Sequence, residues 1–188
     1  AAYSYMALVP KHIKQLGPYK SGTPIQQVQR EFGFERVIKL ASNENPLGPS
    51  KKVLEDVSNA LNDCHRYPDS SGYQLRTMLA ERFNLKIKNV ILGAGSEGIM
   101  SVIMRTFLMP TDEILAARNS FIGFRVLANA SGNPVNWIKM NNYRYDLHAM
   151  AEQINEYTKV IYLANPDNPT GTYFTVSEFD KFMEYVPE

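Results

Sequence analysis

From Pro49 onward, short apolar runs alternate with longer segments whose apolar residues recur at helical spacing, and this alternation constrains the fold more than any other feature. Runs that predict strands lie at 89–92, 113–117, 134–140 and 159–164. Segments that predict helices lie at 49–64, 71–84, 96–108, 121–130, 146–155 and 175–186. Strands joined through helices pair in parallel, with right-handed crossovers. The sequence therefore predicts a doubly wound, mostly parallel α/β sheet.

The first 48 residues differ in texture from the rest. Proline and glycine recur in LGPYKSGTP and NENPLGPS, and only a short helical stretch at 25–32 lies between these two segments. Such a composition favours an extended arm over a packed core.

Composition narrows the classes of partner. Twenty Lys and Arg residues balance 19 Asp and Glu residues to a net charge of +1, which argues against nucleic acid or an anionic membrane and favours a small ligand. One cysteine and three scattered histidines predict no metal site. The sequence has neither an apolar run of about 20 residues nor a signal-peptide pattern, so we expect a cytoplasmic protein.

A glycine-rich turn follows the first predicted strand. Gly93, Gly95 and Gly98 have the G-x-G-x-x-G spacing at the start of a predicted helix, where free backbone amides bind anions. A nicotinamide dinucleotide site would also need an acid at the end of the next strand, where the chain has Arg118. The turn fits a dinucleotide, another phosphate, or a ligand-free connection.

A second unusual loop, NPDNPTGT at 165–172, follows the last predicted strand. Its prolines and glycine predict a rigid turn. Asn165 and Asn168 could be local turn caps, but the length of the string favours a functional role.

Six segments in order resemble the fold type I aminotransferases that use pyridoxal 5′-phosphate, most closely the histidinol-phosphate aminotransferases. They are LGPYKSGTPIQQV, IKLASNENPLGPS, RYPDSSGYQLRTMLAERF, ILGAGSEGIM, NSFIGFRVLANASG and LANPDNPTG. The resemblance runs nearly end to end. It implies that residues 1–48 form an arm and part of the small domain, and that 49–188 form the first part of the large cofactor-binding domain.

The resemblance also implies roles for residues of the large domain. The amides of Gly95 and Ser96 match the donors to the cofactor's phosphate, and Asn168 matches the donor to its 3′-oxygen. Phe121 matches the aromatic residue that stacks on the pyridine ring, with Phe124 as the alternative.

Residues nearer the N-terminus match contacts to the substrate and to a second subunit. Tyr67 matches a tyrosine that reaches the phosphate in the neighbouring subunit, which implies a homodimer. Tyr19, together with Ser42 and Asn43 in the turn that runs to Asn45, matches the segment that closes over the substrate.

In the family, the lysine that holds the cofactor as an imine lies after the NPTG loop, together with an aspartate for the pyridine nitrogen and an arginine for the substrate. No lysine of this chain has a matching context, and the sequence stops at Glu188. We therefore expect an N-terminal portion that is inactive alone, and that is stable only with the C-terminal remainder of the same protein or packed against another copy that covers its open sheet edges.

The activity that the resemblance implies is transfer of an amino group from L-histidinol phosphate to 2-oxoglutarate, giving imidazole-acetol phosphate and L-glutamate in histidine biosynthesis. An aromatic amino acid aminotransferase or a threonine-phosphate decarboxylase would keep the same fold and cofactor. From other classes, an NAD(P)-dependent oxidoreductase and a non-catalytic fragment that binds a partner chain remain open.

Overall fold

The structure, a computed structural model, describes residues 8–17 and 22–188. It divides into two units, which are treated separately below: residues 8–17 with 91–188, and residues 22–90. None of the helices in the described part of the chain has the length and apolar composition that a membrane-spanning helix needs.

A three-stranded parallel sheet forms the centre of the larger unit. Strand β1 lies between β2 and β3, and Ile114 of β1 is opposite Val135 of β2 and Val160 of β3. The strands are β1 (Glu113–Ala117), β2 (Val135–Ile138) and β3 (Thr158–Tyr162).

Alternate residues of β1 face opposite sides of the sheet, and both faces are covered. Ile114 and Ala116 belong to an apolar cluster with the helices that precede and follow β1. Leu115 and Ala117 belong to a second cluster on the other face. All four side chains are buried, as expected of a central parallel strand. This confirms the predicted doubly wound α/β layer.

Local signals in the sequence position the helices of this unit. The Asp146 carboxylate accepts from the Ala149 amide at the start of one helix, and Thr175 forms a capping box with Glu178 at the start of another. The helices are α1 (Lys11–Lys14), α5 (Gly95–Phe107), α6 (Ile122–Ser131), α7 (Leu147–Ala151) and α8 (Val176–Met183).

The smaller unit, residues 22–90, is helical and open. Ser50 caps one of its helices through the Val53 amide, and Ala80 is the one buried residue of this unit. Its helices are α2 (Ile25–Phe32), α3 (Lys51–Ala60) and α4 (Tyr73–Arg82), with short 3₁₀ turns at Leu61–Asp63 and Ile87–Asn89.

The first predicted strand, at 89–92, is not formed. Asn89 ends a 3₁₀ turn and the following residues have no ladder partner among the described strands. A strand exists only through hydrogen bonds to a neighbour, so an apolar run alone does not make one. The other three predicted strands and the six predicted helices are present, with ends shifted by a few residues.

Candidate active site

Helix α5 begins at the glycine turn. Gly95 adopts a φ of +68°, which favours glycine, and the space where a Cβ would lie is open. Its amide donates to the Gly93 carbonyl at 2.8 Å, whereas the structure gives no acceptor within the described residues for the amides of Ser96 and Glu97. Within the described residues, the free amide donors at this exposed helix start are therefore those of Ser96 and Glu97, whereas the resemblance implies Gly95 and Ser96.

Phe121 lies immediately before α6, and its ring covers Gly123. A Cβ on Gly123 would come within 2.6 Å of the Phe121 ring, so glycine leaves room for it. The ring is half-buried against the cluster that contains Ile114 and Ala116. It therefore rests on a fixed apolar surface while part of it remains accessible.

Phe124, the alternative stacking residue, belongs to the core. It is 3% exposed and stacks on Tyr162 with ring centroids 3.7 Å apart. Partial burial of Tyr162 raises the pKa of its hydroxyl to about 12. A bound ring would have to displace this packing to reach Phe124, whereas Phe121 is already accessible.

The two asparagines of the NPDNPTGT loop do different things. Asn165 forms two hydrogen bonds with the backbone of Phe174, one to its carbonyl and one from its amide, each 3.0 Å long. The side chain of Asn168 is exposed and makes no hydrogen bond within the described residues. Asn165 thus closes the loop, and Asn168 is left with its amide group available to a ligand.

Hydrogen bonds within the loop hold Asn168 in place. The Asp167 amide donates to the Thr172 carbonyl at 2.8 Å, and the Gly171 amide donates to the Asp167 carbonyl at 2.9 Å. Both asparagine–proline peptide bonds, Asn165–Pro166 and Asn168–Pro169, are cis.

Phe121 and Asn168 are at the same edge of the sheet. The residues that precede them, Ser120 and Asp167, are joined by a hydrogen bond from the serine hydroxyl to the carboxylate. This edge holds the carboxyl ends of β1 and β3, where ligands of parallel α/β sheets bind. A flat ring, a free amide group and a helix start are therefore all in the same unit, on segments that follow predicted strands.

Sequence reasoning did not identify Ser120, Tyr145 or Asp167. Tyr145 is 6% exposed, and its burial raises the pKa of its hydroxyl. Asp167 is 4% exposed and is the one buried charged residue among the described residues. The aspartate between two asparagine–proline pairs was the available signal, because a carboxylate in so rigid a turn needs nearby donors.

The remaining predicted site residues belong to the smaller unit. Tyr67, Ser42 and Asn43 are exposed, and the tyrosine side chain is free of packing at 101% exposure. Tyr19 lies outside the described residues.

A family model for aminotransferase class I and II matches residues 35–188. The chain belongs to the class I and II aminotransferases. This membership confirms the resemblance on which the site residues were chosen, and it places the glycine turn in an aminotransferase rather than a dinucleotide-dependent oxidoreductase.

Individual aminotransferases resemble the chain over nearly its whole length. A histidinol-phosphate aminotransferase of Anaeromyxobacter sp. (strain Fw109-5) is 40% identical over 184 residues, covering 97% of this chain and 50% of the relative. A histidinol-phosphate aminotransferase of Caldicellulosiruptor saccharolyticus is 42% identical over 175 residues, covering 93% of this chain and 49% of the relative. The chain thus spans about half the length of the curated relatives it matches.

The aminotransferase fold is also found in solved structures. The crystal structure of a histidinol-phosphate aminotransferase from Sinorhizobium meliloti in complex with pyridoxal-5′-phosphate superposes with a TM-score of 0.83 at 22% identity. The match covers 98% of this chain and 49% of that one. It confirms the predicted fold type I architecture.

Proposed function

We propose that the whole protein is a pyridoxal-phosphate-dependent aminotransferase that moves an amino group from L-histidinol phosphate to 2-oxoglutarate. The observation that carries the proposal is the position of Phe121 and Asn168 at one edge of the sheet, in a chain that belongs to the class I and II aminotransferases. When bound, pyridoxal 5′-phosphate supplies a carrier for the amino group and an electron sink.

The residues of this chain fit that cofactor. Free amides at a helix start suit a phosphate dianion, and the positive end of the α5 dipole adds to the attraction. The half-buried Phe121 ring offers a flat surface for a pyridine ring. The free amide group of Asn168 is a donor for a phenolic oxygen, and such a bond favours the ionised oxygen.

The further roles rest on the resemblance. In the proposed enzyme, Gly95 and Ser96 form the phosphate-binding turn. The free backbone amide of Glu97 provides a further donor to the phosphate. Tyr67 reaches the phosphate of a neighbouring subunit in a homodimer, and Tyr19, Ser42 and Asn43 contact the substrate.

The proposed organisation places the arm and part of the small domain at 1–48 and the first part of the large domain at 49–188. The imine-forming lysine and the substrate arginine would come from the C-terminal remainder of the protein. We propose a cytoplasmic location for the enzyme.

The first test measures cofactor binding by the whole protein. The wild-type protein should develop a visible absorbance band with pyridoxal 5′-phosphate. Asn168→Ala should weaken binding about tenfold or more, because a hydrogen bond to a charged oxygen contributes roughly 1.5–3 kcal/mol. Asn129→Ala, which changes an exposed asparagine on α6, is the matched control and should bind as wild type does.

Turnover then identifies the amino donor. L-histidinol phosphate should be converted with 2-oxoglutarate at a higher kcat/KM than phenylalanine or tyrosine. Equal binding by the Asn168 and Asn129 variants would contradict the site, and a preference for an aromatic amino acid or decarboxylation of threonine phosphate would contradict the assigned substrate.

A further inference from the structure

A chain of hydrogen bonds crosses the larger unit beside the proposed cofactor ring. The Tyr145 hydroxyl accepts from the Ala164 amide at 3.1 Å and lies 2.8 Å from the Ser120 hydroxyl. Ser120 in turn donates to the Asp167 carboxylate. These hydrogen bonds join three segments that are distant in sequence: the turn before α6, the segment before α7, and the loop after β3.

The direction of each hydrogen bond follows from the groups involved. An ionised carboxylate only accepts, so the Ser120 proton is used toward Asp167. The Tyr145 hydroxyl must then donate its own proton to Ser120 while it accepts from Ala164. Burial raises the pKa of Tyr145, so its hydroxyl stays protonated. The hydrogen bonds therefore all point in one direction, from the Ala164 amide to the Asp167 carboxylate.

The Asp167 carboxyl group is buried and accepts hydrogen bonds from nearby side chains. Its second carboxylate oxygen accepts from the Thr170 hydroxyl at 2.9 Å and from the Thr170 amide at 3.4 Å. None of the ion pairs of the described residues includes it. Burial of a carboxylate is costly unless hydrogen bonds replace its water, and here hydroxyl and amide donors replace it.

The network of hydrogen bonds ends next to the two residues proposed to contact the cofactor. Ser120 directly precedes Phe121, and Asp167 directly precedes Asn168. The hydrogen bond between Ser120 and Asp167 therefore restrains the separation of Phe121 and Asn168. Neither Ser120 nor Asp167 is among the residues assigned to the cofactor.

We propose that Ser120, Tyr145 and Asp167 are positioning residues that hold the ring of Phe121 and the amide group of Asn168 in register on the cofactor ring. The inference rests on the proposed function. The network acts through Phe121 and Asn168, so its loss should loosen the cofactor and misplace the Asn168 donor without removing either contact residue.

The test compares Ser120→Ala and Tyr145→Phe in the whole protein. The first variant removes the central hydroxyl, and the second removes one hydroxyl while the buried ring keeps its packing. Ser131→Ala is the matched control: that serine donates to the Ala128 carbonyl at 2.8 Å near the end of α6 and takes no part in the network. Ser120→Thr retains the hydroxyl and serves as the rescue variant.

Three properties are measured for each protein: the dissociation constant of pyridoxal 5′-phosphate, the midpoint of a pH titration of the bound cofactor's visible absorbance, and the midpoint of thermal unfolding without cofactor. Ser120→Ala and Tyr145→Phe should raise the dissociation constant about fivefold or more. They should also raise the titration midpoint, because a misplaced donor no longer favours the ionised oxygen. Ser120→Thr should restore both values, and Ser131→Ala should leave both unchanged.

Two results separate the possible failures. If the wild-type protein does not bind the cofactor, the proposed function is wrong, and the inference falls with it. If the wild type binds, but both network variants match Ser131→Ala in dissociation constant and titration midpoint, the positioning role alone is wrong. A lowered unfolding temperature with unchanged cofactor properties would likewise show that the network is only structural.

Discussion

At the scale of single residues, Glu178 carries the most strongly altered carboxylate of the described residues. Its Oε2 atom accepts from the Arg144 guanidinium at 2.7 Å and from the amide and hydroxyl of Thr175. The Arg144 hydrogen bond, followed by the Thr175 donors, lowers the pKa of Glu178 from 4.5 to about 2. The carboxylate thus links the helix start of α8 to the segment before α7.

A lowered pKa stabilises the folded state above the unfolded value, and that stabilisation disappears as pH falls toward the folded value. We expect the difference in unfolding free energy between wild type and Glu178→Gln to be largest above pH 5 and to shrink between pH 4.5 and about 2. Urea unfolding at several pH values measures it. In an Arg144→Gln background the window should move toward pH 4.5, and a pH-independent difference would contradict the assignment.

The residue scale also shows the limit of sequence reasoning about the site. Phe121 and Asn168 could be selected because each lies in a characteristic string of neighbours. Ser120 and its partners Tyr145 and Asp167 could not, because they are 25 and 47 positions apart. Their association depends on which strand lies beside which, and local sequence does not encode that order.

At the scale of elements, α4 contains an unsatisfied group. The Thr77 hydroxyl is buried and, within the described residues, is the one buried side-chain polar atom without a hydrogen-bond partner. A buried unpaired hydroxyl costs about 1–3 kcal/mol. Valine has a similar shape and the same branching at Cβ, so it fits the helix without that cost.

Thr77→Val should therefore raise the free energy of unfolding by about 1 kcal/mol. Chemical denaturation followed by circular dichroism provides the measurement. Thr106→Val, at an exposed position on α5, is the control and should change stability by about 0.5 kcal/mol or less. Destabilisation by Thr77→Val would mean that the hydroxyl has a partner in solution.

Helices were easier to predict than strands for a physical reason. A helix satisfies its hydrogen bonds within its own segment, so periodicity and caps such as Ser50 and Thr175 place it closely. A strand needs a neighbour. The apolar run at 89–92 matches the other strands in composition, but no described strand pairs with it.

At the scale of the molecule, the two units differ in how much they bury. Strand β1 is covered on both faces, whereas residues 22–90 contribute only Ala80 to the buried apolar residues. Apolar side chains of α3, including Val53, Leu54 and Val57, are about half exposed, with values of 49%, 56% and 55%. Local unfolding of residues 22–90 therefore exposes little additional apolar surface to water.

Hydrogen exchange of the 188-residue chain should reflect that difference. Amides of β1 should exchange most slowly, and those of α2, α3 and α4 should be among the first to exchange, because local stability follows buried apolar contacts. Peptide-level mass spectrometry can follow both regions in one sample. Protection of α3 equal to that of β1 would show that its apolar face is covered in solution, for example by a second copy of the chain.

The pair of hydrogen bonds between Asn165 and Phe174 has a consequence for how this sequence can vary. The two residues bracket a loop of fixed length, because both the backbone N–H and the backbone C=O of Phe174 must face the side-chain amide of Asn165. Substitutions between them alter side chains but not this closure. An inserted or deleted residue would move Phe174 out of reach, so positions of this segment other than Asp167 and Asn168 should accept changes of residue far more readily than the segment accepts changes of length.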